Sequence, residues 1–144
     1  MMSCAQFADR LGRAAVLARN ELDIPTEALM VLVEAQAREA IGTYNYGWKP
    51  LALYTQIDRV AHGYPADEPL LRTGELAASI KHKAELAPGG AEGVVYSDDK
   101  IALFQEMGTI RIPPRSFLYK SMWLSTIEAH RIFGAFAVKL LTFG

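Results

Sequence analysis

The residues able to do chemistry are few and scattered. The histidines are His62, His82 and His130. None has a second histidine three or four residues away, the spacing at which one helix face offers two imidazoles to a metal. His82 alternates with Lys81 and Lys83, which predicts a solvated or cross-strand position rather than a ligand. His130, beside Arg131, reads as a surface residue. Asp98-Asp99 offers two carboxylates to a cation, but two acids just before a helical run fit an N-terminal cap with favourable dipole contact. Cys4 is the one cysteine, so neither an internal disulfide nor a cysteine-rich zinc site can form. It lies near the N-terminus with no histidine beside it, which argues against a catalytic thiol. Gly89-Gly90 is too short to cradle a phosphate, and no nucleophile elbow, phosphate loop or dinucleotide fingerprint is present. The expectation is no active site, no cofactor and no metal.

The elements that carry these residues follow from period and punctuation. Ser3 with Gln6 matches a capping box, and Phe7, Leu11, Ala14, Ala18 and Leu22 then recur at helical spacing. Asp23-Ile24-Pro25-Thr26 interrupts this N-terminal segment, 1–26, because proline cannot extend a helix interior. A second helix is predicted over about 27–42, ending at Gly42. Pro50 can start a third helix, from Leu51 to about Ala61, that stops at Gly63. Thr73 can cap a short turn through Glu75-Ala78. At Ser79 the apolar period changes from helical to alternating, and 79–87 with 92–97 reads as a hairpin whose loop spans a few residues around Pro88-Gly89-Gly90. Asp98 or Asp99 caps a helix through Glu106 that ends on Gly108. Thr109 to Pro114 is extended by its prolines. Ser116 caps a long final helix to about 140, with Leu118, Met122, Ala129, Ile132 or Phe133, Phe136 and Leu140 as its inner stripe. The fold class is α+β, a small antiparallel sheet packed against a long helix from the N-terminal half and a long C-terminal helix, in one domain spanning 1–144 with a core over 27–144. Phe117 follows the proline pair that fixes the last helix's entry and is expected to be a core anchor.

With 144 residues the chain can bury a core of its own. No apolar run approaches the ~20 residues of a membrane span, and Met1 to Arg10 lacks the basic start and apolar centre of a signal peptide. A soluble protein, intracellular or self-assembling, is the expectation. The formal net charge of −1 argues against a protein built mainly to neutralise nucleic-acid phosphates. It conceals an asymmetry: residues 1–106 carry 10 basic and 15 acidic side chains, whereas 107–144 carry five basic and one acidic. Either this is the scatter of a small sample, or the two parts meet across subunits in a head-to-tail assembly.

Three stretches carry a resemblance. They are Thr73-Gly74-Glu75-Leu76 with Ser79-Ile80, then Ala102-Leu103-Phe104-Gln105-Glu106-Met107-Gly108-Thr109, then Ile112-Pro113-Pro114-Arg115-Ser116-Phe117-Leu118. Their order and spacing resemble the tailed-phage tail-completion proteins, small neck or head–tail joining proteins of the minor-tail or virion-morphogenesis type. Ile41-Gly42-Thr43-Tyr44, Trp48-Lys49-Pro50-Leu51 with Thr55, and Gly63-Tyr64 through Asp67-Glu68-Pro69-Leu70-Leu71-Arg72 extend the likeness over about residues 29–122. One departure is Ser116, where the family often has proline after the arginine.

The resemblance implies a structural virion protein rather than an enzyme. It implies a homo-oligomeric ring, often six-fold, at the phage neck, partnered by other neck, connector or tail-tube proteins. DNA would pass through such a ring without sequence-specific recognition. The protein would sit in the virion and, during assembly, in the host cytoplasm. The readings beside it are a connector adaptor bound to the portal, a prophage-encoded host-directed regulator, and a small ligand-binding domain or enzyme using His82 with Asp98 or Glu106. The interface candidates are Arg72, Thr73, Gly74, Glu106, Gly108, Thr109, Arg115 and Phe117, with the charged ones held outward at turns. Tyr44 to Trp48 and Tyr64 to Leu71 are the loops expected to await a template.

Overall fold

A computed structural model describes residues 2–143, and Met1 and Gly144 of the expected 1–144 domain lie outside the described residues. Ser3 caps α1 (Cys4–Glu21) as its spacing predicts: Ser3 Oγ accepts from the Gln6 N–H at 3.2 Å, and Gln6 Oε1 accepts from the Ser3 N–H at 2.8 Å. The next helix, α2 (Asp23–Ala40), begins before the expected Glu27. Pro25 does not interrupt it. It sits in the first turn, where an N–H would have no helical acceptor, and only Leu22 separates the two helices. The third helix, α3 (Leu53–Ala61), starts two residues later than Leu51.

The change of period at Ser79 marks a real boundary. A short α4 (Glu75–Ser79) leads directly into β1 (Ile80–Ala87), which pairs antiparallel with β2 (Gly90–Ser97) from Ile80↔Ser97 to Ala87↔Gly90. The loop is only Pro88-Gly89, so β2 begins two residues before the expected 92, and Gly89 takes φ +98° to close the turn. Next comes α5 (Lys100–Met107), capped by Asp99, whose carboxylate accepts from the Ile101 N–H at 2.8 Å.

The expected single helix over 116–140 is two helices, α6 (Leu118–Leu124) and α7 (Thr126–Phe143). Two buried serines mark the break. Ser121 Oγ donates to the Phe117 carbonyl at 2.7 Å, and Ser125 Oγ lies 2.8 Å from both the Ser121 carbonyl and Gln36 Oε1. Hydroxyls that bond the carbonyl four residues back compete with the backbone and bend helices.

The class is α+β, with seven helices and one two-stranded sheet among the described residues. α2 lies directly on the hairpin, α6 and α7 pack on α2, and α1 packs mainly on α7. Gly93 sets how close α2 comes. A Cβ there would stand 2.7 Å from Met30 Cγ and 2.8 Å from Thr26 Cγ2, so only glycine admits this approach. The core joins Ala37 of α2 and Ile41 just after it to Leu76, Ile80, Ala102, Leu70 and Phe117. Phe117 is fully buried, as expected of an anchor. Among the described residues no helix is long and apolar enough to cross a membrane.

Candidate functional site

The motif residues after α5 form a clasp between α5 and α6. The Glu106 carboxylate accepts from the N–H groups of Phe117 (2.8 Å), Leu118 (3.0 Å) and Tyr119 (3.0 Å), and from the Ser116 hydroxyl (2.5 Å). It therefore caps α6 from another helix. Ser116, the expected cap, instead donates to it. An anion at the exposed N–H groups of a first turn is favoured by hydrogen bonding and by the helix dipole together.

Gly108 ends α5 at φ +75°, ψ 171°, and a Cβ there would meet Pro114 Cδ at 2.9 Å; that conformation is nearly confined to glycine. Thr109 Oγ1 accepts from the Arg111 and Ile112 N–H groups at 3.3 and 3.1 Å and closes the next turn. These contacts of Glu106, Gly108, Thr109 and Phe117 are thus all within the chain.

Arg72, Thr73, Gly74 and Arg115 converge elsewhere, on an open cleft of about 750 Å³ between α3, the loop after it, α5 and the 111–115 segment. Two of its guanidiniums are buried: Arg59 and Arg115 are each 6 % exposed. Arg115 is therefore not held outward, contrary to its expected place on a turn. Its Nη2 donates to the Lys49 carbonyl at 3.3 Å, while its buried Nε has no hydrogen-bond partner. Arg59 Nη1 reaches the carbonyls of Pro65 (3.3 Å), Glu68 (2.6 Å) and Leu71 (2.9 Å). It pins a loop in which Leu70 holds φ +66°, a strained conformation for a branched side chain. Burial first, then repulsion from Arg72 and Arg115, pushes the Arg59 pKa below the ordinary guanidinium value.

At the rim, Arg72 stacks over Tyr64 with its guanidinium carbon 4.7 Å from the ring centroid, and its Nη2 lies 4.0 Å from Asp58. Thr73 sits one residue before the N-cap of α4, and its Oγ1 accepts from the Glu75 N–H at 3.4 Å. Gly74 is the N-cap residue at φ +87°, and Thr73 Oγ1 also donates to the Glu75 carboxylate at 3.0 Å. The loops expected to await a template are tied down: Tyr44 to Asp67 (2.5 Å), Tyr46 to Ser121 (2.7 Å) and Trp48 to the Ser116 carbonyl (3.2 Å).

The surface beside this cleft is unusually apolar. In α3 the polar and charged positions turn inward with Arg59, and Leu53, Tyr54, Ile57 and Val60, on one face by spacing, are 71, 81, 61 and 60 % exposed. An amphipathic helix ordinarily buries its apolar face; this one is inverted. In α5, Leu103, Phe104 and Met107 form a second exposed stripe, with Ile110 fully exposed just beyond it. The sequence predicts the helix but not its inversion, because a helical apolar stripe carries no mark of which side faces the core.

His82 is not solvated. It faces α2, with Nε2 2.9 Å from Glu27 Oε1 and Nδ1 bonded to Glu34. The two carboxylates hold opposite ring nitrogens, so they converge on no common metal position. The bonds to Glu34, then to Glu27, raise the His82 pKa above 6.5. Asp98 pairs instead with Lys81 at 2.6 Å, and Glu106 is committed to α6, so the catalytic pairing considered for His82 is not assembled. Compared with protein-family models, curated proteins and solved structures, the chain matches none.

Proposed function

We propose that this chain is a ring-forming structural subunit of a tailed-phage neck, which completes the tail and joins it to the head. The observation that carries the assembly part is the inverted helix α3. Four large apolar side chains along one face are offered to solvent, and contiguous apolar surface of this kind marks an interaction site. The stripe of α5 with Ile110 provides a second, different face, and two unlike faces suit the heterologous contact from which rings close. The charge asymmetry between 1–106 and 107–144 favours one register of such a contact. The phage part rests on the resemblance of the motif segments.

Under this reading the motif residues divide their labour. Glu106, Gly108, Thr109 and Phe117 build the clasp that fixes α5 relative to α6, and so hold the α5 stripe rigid. Arg72, Thr73, Gly74 and Arg115 line the cleft between the stripes. Electron microscopy of the purified chain, alone and after co-sedimentation with tail tubes, tests the proposal. Rings, or a collar at the tube end, are expected. A protein that binds neither tubes nor connectors at any concentration contradicts it, and binding to isolated portals alone assigns it to the adaptor position instead.

A further inference from the structure

We infer that the arginine-lined cleft is a binding site for a carboxylate side chain, presented by an acidic, apolar-flanked segment of a partner polypeptide. Four observations converge. First, Arg115 is buried at 6 % exposure, lines the cleft, and leaves its Nε without a partner. A carboxylate bound in the cleft supplies the counter-charge that this buried guanidinium lacks. Second, the charge is unbalanced. Lys49, Arg59, Arg72, Arg111 and Arg115 line the cleft against Asp58, Glu75 and Asp99. Of these acids Asp99 is occupied in capping α5 and Glu75 in its bond with Thr73. Among the described residues neither buried guanidinium forms an ion pair.

Third, Arg59 is buried beside other cations: burial first, then repulsion from Arg72 and Arg115, lowers its pKa. Fourth, the cavity of about 750 Å³ is far larger than an inorganic ion requires, and falls in the range of sites for larger ligands. Leu51, Leu70, Leu76, Ile112 and Tyr64 give it an apolar lining. The excess of two positive charges suits one or two carboxylates, whereas a polyphosphate would bring more negative charge than the cleft neutralises, next to Asp58 and Glu75. Apolar walls with a cationic floor select a carboxylate flanked by apolar residues.

The inference rests on the assembly reading only for the ligand's being a polypeptide, and the two fail separately. A chain that binds the acidic probe yet forms no ring leaves the cleft assignment standing. A chain that forms rings yet ignores the probe removes the cleft assignment alone.

The test is titration of the 15N-labelled full chain at low ionic strength with the acetylated, amidated peptide Leu-Glu-Leu-Glu-Leu, its glutamine counterpart and inorganic phosphate. Saturable shifts of the amides at 70–76 and 111–117 are expected, with the glutamate peptide at least tenfold tighter than the glutamine peptide. Arg72→Met, at a half-exposed rim position whose loss leaves the core intact, should weaken the glutamate peptide at least fivefold. Arg115→Met should weaken it further, with the hydrogen-exchange pattern of Arg72→Met serving as the folded reference. Equal affinity for the two peptides, shifts that map to another surface, or phosphate binding tighter than the glutamate peptide would each overturn the assignment.

Discussion

At the scale of single residues, the charged side chains that the sequence singles out bond mostly within the chain. Glu106 gathers three backbone N–H groups and one hydroxyl at the start of α6. Glu106→Gln keeps the shape but replaces an anion with an amide whose NH2 faces donors. Denaturant unfolding should show a loss of about 1.5–3 kcal/mol, the worth of hydrogen bonds to a charged group; a loss under roughly 0.5 kcal/mol would make the clasp incidental. His82 gives a pH signature. Its pKa is raised in the folded state by Glu34 and then Glu27. Arg38, paired with Glu34 at 2.7 Å, is the opposing cation on α2, while Lys81 and Lys83 lie on the outer face of β1. The contribution to stability is fully present below the unfolded histidine value near 6.5 and lost as pH rises through the folded pKa. His82→Gln should therefore cost more at pH 5.5–6 than at pH 9. An equal cost at both, or an NMR titration of His82 at or below 6.5, would remove the ion pairs from the account. Little of this was legible in the sequence. His82 and Glu34 are 48 positions apart, and Glu106 lies ten or more positions before the groups it caps, so no local motif signals either contact.

At the scale of elements, local chemistry was far more legible. The capping box at Ser3 and Gln6, the switch to alternation after Ser79, the cap at Asp99 and the stop at Gly108 are all short-range signals, and each holds in the structure. The failures share a physical cause. Pro25 breaks a helix interior but is welcome in a first turn, and the sequence does not say which register applies. Ser121 and Ser125 look unremarkable in a helical stripe, and their place at the break between α6 and α7 goes with burial and with the Phe117 carbonyl and Gln36 as partners. Gly93 reads as part of a strand, yet its role is to admit Met30 and Thr26. Gly93→Ala should destabilise by about 1–3 kcal/mol, the usual cost of an overpacked contact. A neutral result in thermal unfolding would mean that Met30 swings aside freely. Phe117→Ala removes the fully buried anchor where α5, α6 and the hairpin layer meet, and should cost about 3–5 kcal/mol. A loss below roughly 1 kcal/mol would place the anchor elsewhere.

At the scale of the whole molecule, the proposed assembly turns on the apolar side chains that α3 and α5 expose. The core is modest, built around α2, the hairpin and Phe117, while α3 and α5 turn their apolar stripes to solvent. The pattern was half visible in the sequence: the stripes could be counted, but their direction depends on Arg59 being drawn inward to hold three loop carbonyls. The same contact makes the loop after α3 rigid and leaves the cleft between the stripes lined with cations. Sedimentation velocity of the full chain over a wide concentration series, compared with Ile57→Asp, tests this most directly. Ile57 is 61 % exposed in the centre of the α3 stripe, so the substitution leaves the fold intact and circular dichroism should be unchanged. The account predicts concentration-dependent assembly of the wild-type chain and a shift of Ile57→Asp to the monomer by at least tenfold in concentration. A wild-type chain that remains monomeric throughout, or an Ile57→Asp chain that assembles equally well, would contradict it.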